Sequence, residues 1–237
     1  MDKKKYVDLN LSHREDWFLE EPVVSLLNEY FFNPTISQAS DQNKWLEERK
    51  KVLYSMARAI RNGSVPLAKN GPCRIRNVEE IDKVVIHHTG RTILPTDHVL
   101  CLLHAMHMIN IYIKPRSDKD NPCYGEPLWS GNFKSGRQIF FAYHYLVYPD
   151  GTVVNLLNDR LIGGHSGLAE INGTSIAIAF LGNFMEDTPT KEQIYSVEKL
   201  LAKYPNCEIL GHREVKGSTT CPGNTFLGKD GWKEQLT

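Results

Sequence analysis

Two histidines close a short apolar run, VVIHHTG, at residues 84–90. Three consecutive β-branched residues followed by polar ones predict a short buried strand that ends at His87 and His88. A second run, GHREVKGSTTCPG at residues 211–223, carries another imidazole, His212, and a thiol, Cys221. We expect the fold to bring the two runs together, because each holds only part of a metal-ligand set.

The combined ligand set is typical of zinc. His87, His212 and Cys221 would supply two nitrogens and one sulfur and leave the fourth tetrahedral position for water, as a catalytic zinc site requires. His87 and His88 are adjacent, so on a strand they point to opposite faces and only one of them can be a ligand. The pattern predicts a zinc (Zn2+) cofactor and favours a hydrolase over a binding protein.

Three further segments lie between these runs, in a fixed order. They read AYHYLVYPDG at residues 142–151, GHSG at 164–167 and SIAIAFLGNF at 175–184. Together the five segments resemble the type 2 zinc-dependent N-acetylmuramoyl-L-alanine amidases, a family that includes phage lysozyme-type amidases and peptidoglycan recognition proteins. The resemblance implies hydrolysis of the amide between N-acetylmuramic acid and the L-alanine of the stem peptide, with peptidoglycan or a muropeptide as substrate.

The resemblance also implies roles for single residues. It makes His87 the first ligand, and it makes Tyr143 the group that reaches the catalytic water. The cytosolic recycling branch of the family uses a glutamate for that work at the position of Ala179, so this chain resembles the tyrosine branch. Thr219 is expected to contact the oxyanion, a role that phage-type amidases give to a lysine; a contribution from Lys216 is an open alternative.

Two histidines and one loop are candidates for substrate contact. His165 is expected to donate a hydrogen bond to the substrate or the tetrahedral intermediate, with a structural role as the alternative. His88 is expected either to pack or to line the substrate site. Residues 114–137 are rich in Pro, Gly, Asn, Lys and Ser and longer than most connections, which is typical of binding loops. Within it we expect glycan or peptide to be held by Trp129, Phe133 and Lys134.

Two other functions remain open at this stage. One is a non-catalytic peptidoglycan-binding module; loss of the thiolate ligand is the usual mark of that state, whereas Cys221 is present. The other is a zinc amidohydrolase that acts on a different amide, because an N-terminal extension and the long loop could reshape the groove.

Periodicity predicts an α/β fold: a mixed central β-sheet flanked by helices on both faces, with an N-terminal helical extension. The extension covers residues 1–78 and the amidase domain residues 79–237. Five strands are predicted near residues 84–86, 139–148, 153–157, 174–181 and 207–210, and helices over residues 96–113 and after the capping box TKEQ at 190–193.

The extension itself is predicted to be helical. A helix over residues 40–62 should carry one apolar stripe, formed by Trp45, Leu46, Val52, Leu53, Met56 and Ile60. A shorter helix is expected from Ser12 toward Phe32. The stripe needs a covering surface, so we expect the longer helix to dock on the amidase domain or on a second chain.

Charge and cysteine usage limit the remaining classes. Lys plus Arg equals Asp plus Glu at 28 each, so no net field favours nucleic acid. No run is apolar enough for a membrane span, and the basic start lacks the apolar stretch of a signal peptide. Five cysteines without close pairing suit a reducing compartment. We expect synthesis in the cytoplasm without a signal peptide and action on the cell wall after release or delivery.

Overall fold

The computed structural model describes residues 25–32, 41–62, 73–90, 98–124, 128–134 and 137–236. The chain divides into two compact units, the first formed by Met1–Cys73 and Leu94–Phe140 and the second by Arg74–Ile93 and Phe141–Thr237. The two units interleave along the sequence. The division into an extension over residues 1–78 and an amidase domain over residues 79–237 stays a prediction.

The described residues form these regular elements. The strands are β1 (Lys83–His88), β2 (Phe133–Lys134), β3 (Arg137–Gln138), β4 (Tyr145–Val147), β5 (Val153–Asn155), β6 (Ser175–Phe180) and β7 (Glu208–Gly211). The α-helices are α1 (Gln42–Asn62), α2 (Val99–His107), α3 (Lys114–Ser117), α4 (Ala169–Thr174), α5 (Lys191–Leu201) and α6 (His212–Val215). Single helical turns of other types occupy Asn28–Phe32, Val78–Glu80, Met108–Ile113 and Trp232–Leu236.

A five-stranded mixed sheet, with strand order β5-β4-β6-β1-β7, is the centre of the second unit. Strand β1 pairs in parallel with β6 and with β7, and β4 pairs in parallel with β6. Only β5 is antiparallel, as the second strand of a hairpin with β4. The predicted mixed central sheet with flanking helices is confirmed, and all five predicted strands are present at or near their expected positions.

One face of this sheet packs against helix α5. Side chains alternate along β1, so Val84 and Ile86 enter this core while Val85 and His87 point to the opposite face. Burying one such aliphatic side chain is worth about 1.5–3 kcal/mol. Helix α5 begins at the predicted capping box, in which the Gln193 N–H donates to Thr190 Oγ1 and the Thr190 N–H donates to Gln193 Oε1, both at 3.1 Å. The sheet therefore has an apolar face and a face that carries His87.

In the first unit, helix α1 packs against α2. The predicted helix over residues 40–62 is confirmed, and Val52, Leu53 and Met56 are buried as expected. The stripe does not extend along the whole helix, because Leu46 is 38% exposed. The buried residues all fall in the C-terminal part of α1, where it is covered.

The segment 114–137 is more regular than its composition predicts. It contains helix α3 and the short hairpin β2–β3. Two of its polar residues, Ser130 and Asn132, are buried together with Gln138, which directly follows the segment. The Ser130 N–H donates to Gln138 Oε1, and the Asn132 N–H donates to Ser130 Oγ at 3.1 Å. Composition predicted a binding loop without regular structure, whereas the side chains of Gln138 and Ser130 satisfy backbone groups of a folded segment.

Strand β4 is shorter than predicted, because its regular backbone pairing with β6 ends at His144. The His144 N–H donates to the Ala177 carbonyl at 2.9 Å, but the Ala177 N–H donates to His144 Nδ1 at 3.0 Å instead of to a backbone carbonyl. An imidazole thus replaces a peptide group in the ladder, and residues before Tyr145 leave the strand. Tyr143 consequently lies outside regular structure, and its predicted place on a strand was wrong.

Two predictions concern the start of the chain. Of the helix expected from Ser12 toward Phe32, residues 25–32 are helical; residues 1–24, on which the absence of a signal peptide was predicted, lie outside the described residues. Among the helices of the described ranges, none combines the length and apolar character needed to cross a bilayer.

A glycine packing position provides a test of the fold. A Cβ at Gly211 would meet the Phe226 ring at 2.5 Å and Pro222 Cδ at 2.9 Å, whereas a Cβ at Gly217 would have no neighbour within 4 Å. Gly211→Ala should lower the unfolding free energy by about 1–3 kcal/mol, as overpacking does. Gly217→Ala, the matched control, should change it by less than about 0.5 kcal/mol. Urea denaturation measures both; equal stability of the two variants would contradict this packing.

Candidate functional site

Parallel pairing places His87 and His212 at the same edge of the sheet. Ile86 of β1 lies opposite Gly211 of β7, and a histidine follows each of them in the chain. Their ring centroids are 4.6 Å apart. The Arg213 N–H donates to the Cys221 carbonyl at 2.7 Å, which closes the loop that returns Cys221 to this edge. The predicted trio is therefore assembled.

The spacing of the three ligand atoms fits a zinc ion. All three lie within 4.8 Å of one another, and Cys221 Sγ is 3.6 Å from His87 Nδ1. Zinc binds nitrogen at about 2.0–2.1 Å and sulfur at about 2.3 Å, so a tetrahedral site requires a nitrogen–sulfur separation of about 3.6 Å. Donor types and spacing both meet this requirement, so these residues could hold zinc and leave a fourth position open.

The second ring nitrogen of each histidine is hydrogen-bonded to the protein. His212 Nε2 lies 3.2 Å from the Ser166 carbonyl, which can only accept, so this nitrogen carries the proton and Nδ1 keeps its lone pair. His87 Nε2 lies 3.0 Å from His165 Nδ1. Such bonds to the outer nitrogen are the usual way in which proteins orient metal-binding histidines.

Cys221 is partly buried and neutral in the absence of a cation. Burial raises the pKa of its thiol to about 12, although the His88 N–H, which donates to Sγ at 3.4 Å, acts in the opposite direction. Metal binding requires the thiolate and therefore releases its proton. The site accordingly pairs a buried thiol with neutral imidazoles.

His88 faces away from this trio. Its Nδ1 accepts the Phe184 N–H at 3.1 Å, and its ring lies 6.0 Å from the Phe184 ring. Burial, and secondarily the charge of His212, lowers the pKa of His88 to about 4. Its side chain therefore acts as a backbone acceptor, and contact with substrate stays a prediction.

Tyr143 is next to the trio, with its ring centroid 4.9 Å from that of His87. Burial, with a smaller effect of Cys221, raises the pKa of Tyr143, so its hydroxyl keeps its proton and can donate. Ala179 is the register partner of His87 on β6 and offers no carboxylate. Of Tyr143 and Ala179, the two candidate positions for the group that reaches the catalytic water, only Tyr143 carries a polar side chain.

Thr219 and His165 also lie at the site. Thr219 Oγ1 accepts the Cys221 N–H at 3.2 Å, which leaves the hydroxyl proton of Thr219 for another acceptor. His165 is buried, and burial, followed by the charges of His144, His212 and Arg76, lowers its pKa well below the usual value. Both ring nitrogens of His165 are engaged by protein groups. The proposed donation by His165 to substrate stays a prediction.

The remaining candidates belong to the first unit. Trp129 and Phe133 are half-buried, with ring centroids 5.5 Å apart, and Lys134 is exposed. Their contact with substrate stays a prediction.

Sequence reasoning missed the residues that hold the loop at residues 163–168, which carries His165 and Ser166. Asn172 is buried, and its Oδ1 accepts both the N–H and the hydroxyl of Ser166 at 2.9 Å. Ser175 contacts His165. Neither residue carries a spacing signal; only the buried polar contacts reveal them.

The sequence is similar to a known protein family and to several known proteins. The family profile described as Amidase_2, N-acetylmuramoyl-L-alanine amidase, matches residues 77–224, more than half of the chain. Peptidoglycan-recognition protein SD of Drosophila melanogaster is 30% identical over 118 residues, 44% of this chain and 62% of that protein. Peptidoglycan recognition protein 1 of Mus musculus is 36% identical over 90 residues, 35% of this chain and 48% of that protein. The chain thus spans about half to three fifths of these relatives.

Similar solved structures include the Ph2119 endolysin of a Thermus scotoductus bacteriophage. It is 25% identical with a TM-score of 0.46, and the match covers 70% of this chain and 88% of that one. The crystal structure of Drosophila peptidoglycan recognition protein SD is 27% identical with a TM-score of 0.42, covering 65% and 84%.

Proposed function

Since the chain belongs to the N-acetylmuramoyl-L-alanine amidase family, we propose that it is a zinc-dependent hydrolase of the amide between N-acetylmuramic acid and the L-alanine of the stem peptide. The single observation that carries the proposal is the trio of His87, His212 and Cys221, whose donor types and 3.6 Å sulfur–nitrogen separation suit zinc. A zinc ion held there supplies Lewis-acid activation of water and of the scissile carbonyl.

Tyr143 is the proposed catalytic hydroxyl. Its ring lies next to that of His87, with the centroids 4.9 Å apart, and its hydroxyl keeps its proton because burial raises its pKa. A buried hydroxyl can orient the attacking water or donate to the oxygen that becomes negative in the transition state. The residue beside His87 on β6 is Ala179, so this position offers no carboxylate for the work.

Thr219 is the proposed second donor to the oxyanion. Its oxygen already accepts the Cys221 N–H, which fixes the side chain beside the ligand and directs its own O–H elsewhere. A hydroxyl holds developing negative charge less strongly than an ammonium. Lys216 also lies in this region, with its Nζ next to Gly167, two residues from His165. It is an alternative donor.

We propose peptidoglycan fragments as the substrate class, with Trp129 and Phe133 offering aromatic surface to a sugar or peptide and Lys134 a charge. The relatives are named for peptidoglycan recognition, so a binding role without catalysis is the competing function. Retention of the thiol Cys221 favours catalysis, because binding of the glycan alone does not require a zinc ligand.

The metal assignment is tested by zinc content. His87→Ala and Cys221→Ala should each lose stoichiometric zinc after dialysis, because two ligands hold the ion poorly. Cys221→Asp should retain part of it, since a carboxylate oxygen also binds zinc. Cys73→Ala, at an exposed cysteine, is the matched control and should keep one zinc per chain. A Cys221→Ala protein with full zinc content by mass spectrometry would refute the ligand set.

The role of Tyr143 is tested by removing only its hydroxyl. Tyr143→Phe should lower kcat by about 10²-fold or more, the scale of a positioned proton donor, with zinc content and melting temperature unchanged. Tyr195→Phe, at a tyrosine that is 58% exposed on α5, is the control and should leave kcat unchanged. Unaltered turnover of Tyr143→Phe would show that a group other than the Tyr143 hydroxyl has this catalytic role.

The reaction itself is tested on purified muropeptides. Release of a free stem peptide with an L-alanine amino terminus, seen by mass spectrometry, is the expected result. Binding without release in the zinc-loaded protein would favour the recognition role. Hydrolysis of other amides with none of muropeptides would favour a different substrate.

A further inference from the structure

A chain of buried hydrogen bonds leads from the ligand His87 away from the metal position. His87 Nε2 lies 3.0 Å from His165 Nδ1, and His165 Nε2 lies 3.0 Å from Ser175 Oγ. The Ser175 hydroxyl in turn donates to the Ile171 carbonyl. His87, His165 and Ser175 are 1%, 6% and 0% exposed, so water does not compete for these bonds.

The Ile171 carbonyl, at the end of this series of hydrogen bonds, fixes the donor and the acceptor of each bond before it. A carbonyl can only accept, so the single proton of the Ser175 hydroxyl goes to Ile171. Ser175 Oγ must then accept from His165, which places the proton of that imidazole on Nε2. A buried neutral imidazole has one N–H, so His165 Nδ1 is an acceptor and His87 Nε2 must donate to it. The lone pair of His87 is left on Nδ1, the nitrogen that lies 3.6 Å from Cys221 Sγ.

We propose that His165 and Ser175 are positioning residues that hold His87 as the Nδ1 ligand of the metal. The inference rests on the proposed zinc site. In it, His165 holds the metal ligand His87 and does not contact the substrate. Outer hydrogen bonds of this kind fix the tautomer and the ring orientation of a ligand and commonly account for 10–100-fold in metal affinity.

The backbone around Ser175 is held in place. Ser175 follows helix α4 directly and begins β6, so the Ile171 carbonyl belongs to a helix end that needs a donor. The buried guanidinium of Arg76 donates to the Ser175 carbonyl at 2.6 Å and to the Asn172 carbonyl at 3.1 Å. The far end of the hydrogen-bond chain is therefore anchored to the sheet rather than to a free loop.

The loop that carries His165 also orients the other histidine of the trio, His212. Ser166, the neighbour of His165, accepts from His212 Nε2 through its carbonyl at 3.2 Å. Two consecutive residues thus take the outer N–H groups of both imidazole ligands. Asn172 fixes this pair by accepting twice from Ser166.

The test compares two substitutions at His165 in the full chain, with zinc affinity measured by chelator competition in the absence of substrate. His165→Phe keeps a planar ring but removes the acceptor and should weaken zinc binding 10–100-fold. His165→Asn places an amide oxygen near the position of Nδ1 and should recover most of the affinity. Ser175→Ala should cause a smaller loss in the same direction.

Ser196→Ala is the matched control, because the Ser196 hydroxyl also donates to a backbone carbonyl, that of Gly151 at 2.7 Å, on helix α5. It should leave zinc affinity unchanged. Wild-type affinity in His165→Phe would overturn the proposal, as would an equal loss in His165→Asn and His165→Phe.

A second measurement does not depend on variants that fold. In the zinc-loaded wild-type protein with 15N-labelled histidine, NMR should show His165 and His87 each protonated at Nε2. A proton on His165 Nδ1 would overturn the proposal. Both readouts are independent of the reaction: a protein that binds zinc through this arrangement but releases no stem peptide would contradict the proposed function and leave the positioning role standing.

Discussion

Parallel pairing between β1 and β7 is the constraint on which the site depends. Parallel strands end at the same edge of a sheet, so the residues that follow Ile86 and Gly211 emerge side by side although they are far apart in sequence. Gly211 makes this possible because the Phe226 ring fills the space that a side chain would need. Apolar side chains fill the face of the sheet toward helix α5, and His87 lies on the opposite face.

Burial gives the site its electrostatic character. It lowers the pKa values of His88, His165 and His212 and raises those of Cys221 and Tyr143, so each of these groups is biased toward its uncharged form. Neutral imidazoles can bind a cation, whereas protonated ones would repel it. A divalent cation would then lie among uncharged imidazoles, and a buried thiolate would gain a partner. Polar groups of the loop at residues 163–168 and of β6 determine which nitrogen of each histidine faces that cation.

Much of the fold, and the proximity of His87, His212 and Cys221, could be predicted from the sequence. Short apolar runs bounded by polar residues located the five strands, the Thr190 capping box located α5, and ligand types with their flanking glycines located His87, His212 and Cys221. These signals are short local patterns of residues, so they can be recognised in a single sequence. Tyr143 was placed beside the site correctly but on a strand wrongly, because the His144 side chain replaces a backbone partner that periodicity assumes.

The supporting residues could not be predicted, because their roles exist only in three dimensions. In the sequence Ser175 is only one residue of the predicted strand at 174–181 and Asn172 has no assigned role; their buried contacts with His165 and Ser166 appear only in the structure. The regular elements within residues 114–137 were not predicted for a related reason: Ser130 hydrogen-bonds to both Asn132 and Gln138, which composition alone does not reveal.

X-ray absorption at the zinc edge of the zinc-loaded full-length protein tests the central claim most directly. The proposed centre predicts one sulfur at about 2.3 Å and nitrogen or oxygen neighbours at about 2.0–2.1 Å, with the multiple-scattering pattern of two imidazoles. A first shell without sulfur, or with more than one sulfur, would contradict the assignment of His87, His212 and Cys221 as the metal site.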